Sequence, residues 1–591
     1  MTHAFLAKPQ RWLLSLLLGA MLFRLCLLIS AHWLLPLTDI VELLDDDAYY
    51  YLTIARHLAN GDGSTFGGVN LTNGYQWLWQ MVLAWIAKVL PDDRALLIQV
   101  TTFISYGVLA CLAGILFWRA RQDRDIRRYA AMLAGLLMAA YLLRDVFWQG
   151  METTLFLLLY PALVTWAEGR LRVGLVLIIT FVLLPLVRLD ALALVAAGYV
   201  LMWARGELAQ NLKTLQGWLP LLVSGMVMAA YVAWNLAQHG LPVPVSGLSK
   251  SLDSPRFGNF GIVFYYVNWP TTVAVSLWLL AEWSLRHAAS APDDFRRSIA
   301  LMAVATLIQY VYYACFSGWP LWSWYLYLEA GLVATIGARL FIMLPALWDR
   351  MSWRTGGRLL VVIAMIGLAI TGAVRTNVTR PLLADGLSAL CHQTRFCLSP
   401  PARQHSFIAN NLTLVKTQGP LLHNQLLAMG DRAGSLGYWL PEGTRLLQLE
   451  GLVEDQTFLA ARLGGHLENY LAAHKVTRLI VDRETFLTLD GLTIVAEPIQ
   501  GRISHRGITP LCFPPAAVLY ANPSAHGSET RIYDFTQRAP CPPSVHALIA
   551  SLAHAEKGLR RLSLPGEYVP SNSWLARLEA RDRRRLAAAT P

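Results

Sequence analysis

The chain has 591 residues, 55% of them hydrophobic and only 15% charged, with a formal net charge of +11. That balance departs from an ordinary soluble composition. The basic excess sits mainly in short loops between apolar runs, which reads as membrane topology and argues against a nucleic-acid partner.

The first apolar segment, around Trp12 to Ser30, follows Lys8 and Arg11 as a signal peptide would. No small-residue cleavage site follows, so it reads as an uncleaved helix. Next comes an acidic run, Asp45-Asp46-Asp47, leading into Ala48-Tyr49-Tyr50-Tyr51 and then a helical Leu52-Thr53-Ile54-Ala55-Arg56. Residues 76–90 are apolar but short, and Pro91-Asp92-Asp93 ends them. A crossing there would put the arginines of 119–128 outside. The segment is therefore expected to lie in the outer interface, with Trp77, Trp79 and Trp85 suited to that depth.

Apolar segments then recur near 95–118, 129–144, 152–167, 173–187, 190–204, 218–238, 261–284, 298–316, 323–347 and 358–376. With the first they give about eleven crossings, each needing roughly 20 apolar residues or somewhat fewer. With the N-terminus in the cytoplasm, the inner loops hold Arg119, Arg121, Arg124, Arg127 and Arg128, then Arg170 and Arg172, and then Arg205 and Lys213. Arg286, Arg296, Arg297, Arg350, Arg354 and Arg358 follow on the same side. The opposite loops are poorer in Lys and Arg, as the positive-inside rule requires. An odd number of crossings leaves the C-terminal part outside.

That part mixes strand-like pieces, Val476 to Val481 and Ala516 to Tyr520, with a helical stretch from Phe458 to His474. The expected fold is an all-α polytopic membrane domain with interfacial helices in its first external loop, followed by a small α/β soluble domain. The boundaries are 1–376 for the membrane domain, 377–550 for the external domain and 551–591 for a basic tail carrying Arg577, Arg581, Arg583, Arg584 and Arg585. Cys26, Cys111 and Cys315 lie in apolar segments and read as packing residues. Cys391, Cys397, Cys512 and Cys541 fall in the external part, where Cys391 with Cys397 and Cys512 with Cys541 is the favoured pairing in an oxidising compartment.

Carboxylates at the start of a helix are electrostatically favourable and need no further role. They can also take a proton from an attacking hydroxyl or coordinate a hard cation. The topology brings Asp46, Asp47, Asn73, Glu152, Arg188, Asp190, Lys250 and Tyr325 to one outer face. Glu152, at the mouth of an apolar helix, is costly there and points to function. Arg188 and Asp190 are equally an ion pair or ligands.

The run from Asp46 through Gly61-Asp62-Gly63-Ser64-Thr65-Phe66 to Thr72-Asn73-Gly74-Tyr75-Gln76 resembles the first external loop of GT-C glycosyltransferases. These are polytopic enzymes that use polyprenyl-phosphate sugars. Gly150-Met151-Glu152-Thr153, Arg188-Leu189-Asp190 and the loop from Gly240 to Lys250 are similar to further elements of bacterial members, although Leu189 stands where proline is usual. So are Gly430-Asp431-Arg432-Ala433-Gly434, Gly437-Tyr438 and Leu449-Glu450-Gly451-Leu452-Val453; bacterial arabinofuranosyltransferases are nearest in pattern.

The resemblance implies transfer of one sugar from a polyprenyl-phosphate donor to a glycan, glycolipid or protein acceptor, outside the bacterial inner membrane. Asp46 matches the first acid of the family's pair and would be the base, with Asp47 and Glu152 beside it in the catalytic group. Asp45 would be a bystander. Lys250, Arg188, Asn73 and Tyr325 would bind the donor and its phosphate, and Arg256 is a further external cation. A divalent cation stays open, with Asp46 and Asp47 as its ligands. The competing readings are a lipid or sugar transporter or flippase, and a non-catalytic sugar-lipid-binding subunit. Against transport, the ionisable residues collect at one surface rather than at the midplane.

Overall fold

The computed structural model describes residues 6–34, 36–123, 125–170, 174–251, 269–285, 295–317, 319, 321–351, 357–374, 407–482, 486–489, 491–497, 509–522 and 530–546. Arg256, the Cys391–Cys397 pair, the boundary at 376 and the basic tail from 551 lie outside the described residues.

The first part is mostly helix. In chain order the helices are α1 (Lys8–Leu34), α2 (Leu37–Ile40), α3 (Asp46–Asn60), α4 (Trp77–Val89), α5 (Arg94–Asp123), α6 (Ile126–Leu142) and α7 (Arg144–Phe147). Then follow α8 (Thr153–Ala167), α9 (Leu175–Val187), α10 (Leu192–Ala204), α11 (Leu208–Asn211), α12 (Leu215–His239) and α13 (Val245–Lys250). The last four are α14 (Trp269–Leu285), α15 (Arg296–Phe316), α16 (Tyr327–Arg350) and α17 (Gly357–Val374). By length and composition, 5 helices among the described residues can cross a membrane; they lie in α1, α5, α12, α15 and the stretch Ser323–Arg350 that contains α16. The remaining apolar helices, α4, α8, α9, α10 and the first part of α17 among them, are shorter. The chain thus has the character of a helical membrane protein.

Small residues set the tightest helix contact. A Cβ on Gly135 of α6 would stand 2.0 Å from the Ala334 carbonyl oxygen of α16. The two backbones can touch only because that side chain is absent.

Helix α3 begins with Asp46 and Asp47 in its first turn and stops at Gly61, whose φ of +87° is the left-handed conformation that ends helices. Its residues Ala48 to Ala55 are buried. Helix α4 covers them from above: Gln80 Nε2 donates to the Tyr51 carbonyl at 3.1 Å, and Trp79 Nε1 donates to the Gly150 carbonyl at 3.0 Å. Trp85, on the other side of α4, is 67% exposed, whereas Trp79, expected from the sequence at the interface, is fully buried against Gly150.

After residue 407 come α18 (Phe407–Leu422), β1 (Leu426–Met429), α19 (Ala433–Trp439), β2 (Arg445–Gln448), α20 (Gln456–Leu463), α21 (Leu467–Ala473) and β3 (Arg478–Asp482). The final strands are β4 (Phe486–Leu489), β5 (Leu492–Glu497), β6 (Thr509–Phe513), β7 (Val518–Asn522) and β8 (Thr530–Asp534). The main sheet has the order β2-β1-β3-β8-β7, parallel from β2 to β3 and antiparallel beyond. Strands β4-β5-β6 form a second, antiparallel sheet. The strand read at Val476 is β3. The strand read at Ala516 begins two residues later, at Val518, after a short 3₁₀ turn. The single helix expected from Phe458 to His474 is broken by Gly464-Gly465, with Gly465 at φ +74°. Cys512 and Cys541 form a disulfide. Cys315 is buried as a packing residue, whereas Cys26 and Cys111 face outward, where apolar surroundings would be lipid rather than protein.

The α/β part is seated on the loop between α3 and α4, through glycines. Leu446 N–H on edge strand β2 donates to the Gly67 carbonyl at 3.0 Å. A Cβ on Gly67 would lie 1.7 Å from the Leu446 oxygen, and one on Gly74 would lie 1.9 Å from that of Leu452. Phe66, 1% exposed, packs where a Gly437 side chain would stand. Burying one such ring contributes roughly 1.5–3 kcal/mol. The loop is therefore a shared layer between the helices and the sheet.

Candidate active site

The site is built at the start of α3, where three tyrosines fan out to different elements. Tyr49 Oη donates to the Val41 carbonyl at 2.5 Å. Tyr50 Oη accepts from Gln448 Nε2 of the α/β part at 3.3 Å. Tyr51 Oη donates to Glu152 Oε2 at 3.0 Å and accepts from the Gln76 amide at 3.1 Å. These bonds fix the helix rotation and hence the direction of the two aspartates before it.

Asp46 and Asp47 do different things. Asp46 Oδ2 accepts the Gly434 amide at 3.0 Å and Oδ1 accepts the Ser435 amide at 2.7 Å, both from the first turn of α19. Burial pushes the Asp46 carboxyl up to about 6, against the pull of those donors. It is a clamp between the membrane part and the α/β part. Asp47 accepts no hydrogen bond among the described residues. Burial pushes its carboxyl pKa above the usual aspartate range, and the field of Lys250 draws it partly back.

Lys250 ends α13. Its Nζ donates to Tyr325 Oη at 3.1 Å and lies 5.5 Å from the Trp319 ring centre. Burial opposes its charge, but Tyr325 and Asp47 outweigh burial and hold the ammonium above the usual lysine range. It makes no salt bridge with a carboxylate among the described residues. Asn73 holds this loop in place. Its Nδ2 donates to Asn235 Oδ1 at 2.8 Å and to the Val243 carbonyl at 3.2 Å, while its Oδ1 accepts the Val245 amide at 2.9 Å. With its amide spent on protein partners, Asn73 acts by placing Lys250.

Behind Tyr325 lies a saturated cluster. Arg188 donates through Nη1 to Glu152 Oε1 and through Nε to Asp190 Oδ1 at 2.9 Å. Its guanidinium carbon stands 4.9 Å from the Tyr325 ring centre and 5.1 Å from that of Tyr327. Asp190 also accepts from Gln309 and Tyr313 at 2.8 Å and from Tyr327 at 3.1 Å. One cation thus serves two acids, and every carboxylate oxygen of Glu152 and Asp190 accepts at least one hydrogen bond.

Among the described residues, Asp46, Asp47, Asn73, Glu152, Arg188, Lys250 and Tyr325 lie in one connected region. Asp47, Lys250, Tyr325, Arg188, Glu152 and Tyr51 form a continuous chain of neighbours, with Asp46 and Asn73 bracing its ends. The α/β part adds groups that sequence reading left without a role. Glu450 and Asp431 both act electrostatically on Tyr50, and Glu450 on Lys250 as well. Gln448 Nε2 ties Glu450 Oε2, at 3.0 Å, to Tyr50. Their signal was the acid in each of the two tail motifs. Among the described residues no group of three or more His, Cys, Asp or Glu is arranged to hold a metal ion, and the Asp46 oxygens point at amides rather than at a shared position with Asp47.

No protein-family model matches this chain, and no curated protein matches it.

Proposed function

We propose that the chain is an integral-membrane glycosyltransferase of the GT-C type, moving one sugar from a polyprenyl-phosphate carrier to an acceptor hydroxyl outside the membrane. Its apolar helices cross the bacterial inner membrane about eleven times, with the N-terminus in the cytoplasm and the α/β domain in the periplasm. A disulfide at Cys512–Cys541 suits that compartment. The observation that carries the reading is the pairing of Asp47 with Lys250, two half-buried ionisable groups that act on one another while neither is held in a salt bridge among the described residues.

The acceptor oxygen attacks the anomeric carbon as its proton passes to Asp47, and the bond from that carbon to the phosphate oxygen breaks. Polyprenyl phosphate leaves with the electron pair, and Lys250 with Tyr325 stabilises the charge that develops on it. The base role falls to Asp47 rather than Asp46, because Asp46 has both oxygens committed to amides. One base and direct attack give inversion. Arg188, Glu152 and Asp190 shape the wall of the site.

The test is transfer of a labelled sugar from polyprenyl-phosphate donors by the purified protein. Asp47→Asn is expected to lose about 10²–10⁴ in rate while keeping the wild-type melting temperature and donor retention. Transfer at the wild-type rate in that variant removes the assignment. Because the folded Asp47 takes its proton more readily than an ordinary aspartate, the rate falls as pH drops through that raised value. Above it the rate levels off.

A further inference from the structure

Arg24 of α1 is a buried cation with no acidic partner among the described residues. The residue is 4% exposed, and its Nε and Nη1 have no hydrogen-bond acceptor. What surrounds it is aromatic: the guanidinium carbon lies 4.5 Å from the Trp148 ring centre and 5.6 Å from that of Tyr106 on α5. Other buried arginines differ. Arg188 has Glu152 and Asp190, Arg339 has Glu282, and Arg462 has Ser249 and the Glu450 carbonyl. Ring faces attract a cation but accept none of the five N–H bonds that a guanidinium offers. Apolar neighbours Leu22 and Phe23 are 62% and 50% exposed, so α1 presents its outer side to lipid here.

The depth of Arg24 follows from helix register. Gln10 Nε2 of α1 donates to the Phe341 carbonyl of α16 at 2.8 Å, and in the proposed topology the two helices run in opposite chain directions. Fourteen residues further toward the outer side, about 21 Å along each helix, stand Arg24 on α1 and Tyr327 at the start of α16. The Tyr141–Leu17 bond at 2.6 Å keeps the same order, since Tyr141 is near the end of α6 and Leu17 lies inward of Arg24. Arg24 is therefore level with the outer ends of these helices, not at the centre of the bilayer.

We propose that Arg24, with Trp148 and Tyr106 as its aromatic walls, seats the phosphate of an outer-leaflet lipid. A phosphate oxygen would accept from the Arg24 guanidinium, and the lipid chains would run beside the exposed face of α1. Charge-assisted bonds of this kind are the strong ones in a low-dielectric setting. The site is separate from Lys250. Trp148 belongs to the segment that leads to Glu152, so an occupied Arg24 braces the wall of the candidate active site from outside. The proposal stands whether or not the chain transfers sugars.

The test is lipid binding by the delipidated full chain in detergent, read by native mass spectrometry and by thermal shift. The probes are phosphatidylglycerol, diacylglycerol with the same chains, and inorganic phosphate. The wild type is expected to retain one phosphatidylglycerol that diacylglycerol does not displace, and to melt higher with it. Arg24→Gln weakens that binding by about tenfold or more, and Lys250→Met leaves it unchanged. Equal phosphatidylglycerol retention in Arg24→Gln overturns the proposal. A thermal shift as large from inorganic phosphate overturns the lipid assignment and leaves a soluble anion. Should Arg24→Gln fail to fold, Tyr106→Leu and Arg24→Lys supply the same comparison. Both are expected to bind more weakly than wild type, and undiminished binding in both rejects the seat.

Discussion

Two cationic centres meet at Tyr325, and they are built in opposite ways. Arg188 is shared by two carboxylates and stacked against two rings, and its partner Asp190 accepts from four residues. Lys250 has one neutral hydroxyl and two carboxylates, Asp47 and Glu450, that act on it without a bond. A saturated centre holds helices together and has no capacity left for a ligand. An unsaturated one is costly when empty and gains when a phosphate arrives. The contrast separates structure from chemistry within a few residues.

Removing the cation from each centre tests that separation most severely. Arg188→Met leaves Glu152 and Asp190 buried with hydroxyl and amide donors only, and is expected to cost about 3–5 kcal/mol, seen as a collapse in folded yield or melting temperature. Lys250→Met removes no salt bridge and should stay within about 1 kcal/mol of wild type, yet lose donor binding. A folded, inactive Arg188→Met beside an active Lys250→Met would reverse the roles.

Glu454, like Asp46, is an acid that joins the loop between α3 and α4 to the α/β part. Glu454 accepts the Gln448 amide at 2.6 Å and Asn70 Nδ2 at 2.7 Å. Burial raises its carboxyl from 4.5 to about 8. A raised acid favours the folded state in its protonated form, so this contribution is complete below pH 4.5 and is lost as pH climbs toward 8. The expected loss is on the order of a few kcal/mol. Glu454→Gln should flatten the dependence of melting temperature on pH over that window. An unchanged slope would show that Glu454 does not govern docking.

How much of this was legible in the chain follows from which interactions are local. Apolar runs are local, so the helices fall where hydropathy put them, and the short segment before Pro91 forms α4 with Trp85 exposed. The acidic run before Tyr49 was visible for the same reason. The division of labour between its members was not, because Asp46 is decided by Gly434 and Ser435, which lie 388 and 389 residues away. Asn73 looked like a ligand group until Asn235, Val243 and Val245 took up its amide. The glycine-rich motifs were read as a family pattern. Their physical content is closeness of backbone, with Gly67 and Gly74 lying under carbonyls of Leu446 and Leu452. A sequence displays such glycines but not what they approach.

The finest division is on Tyr325 itself, whose ring faces the saturated centre while its hydroxyl serves the open one. Tyr325→Phe keeps the surface against which Arg188 stands at 4.9 Å and removes only the acceptor for Lys250 Nζ. A neutral hydrogen bond to a charged group is worth roughly 1.5–3 kcal/mol where nothing replaces it, and less where water or the donor phosphate does. Stability should therefore move little, since the ring packing survives. The Lys250 ammonium loses a contributor to its raised basicity and a bond that aims it. The expected result is a rise in KM for the lipid-phosphate donor of several-fold, about one power of ten at most, with kcat changed less. A drop in melting temperature with KM intact would instead place the hydroxyl in the scaffold, and the line between the two centres would then run through Lys250 rather than through the ring.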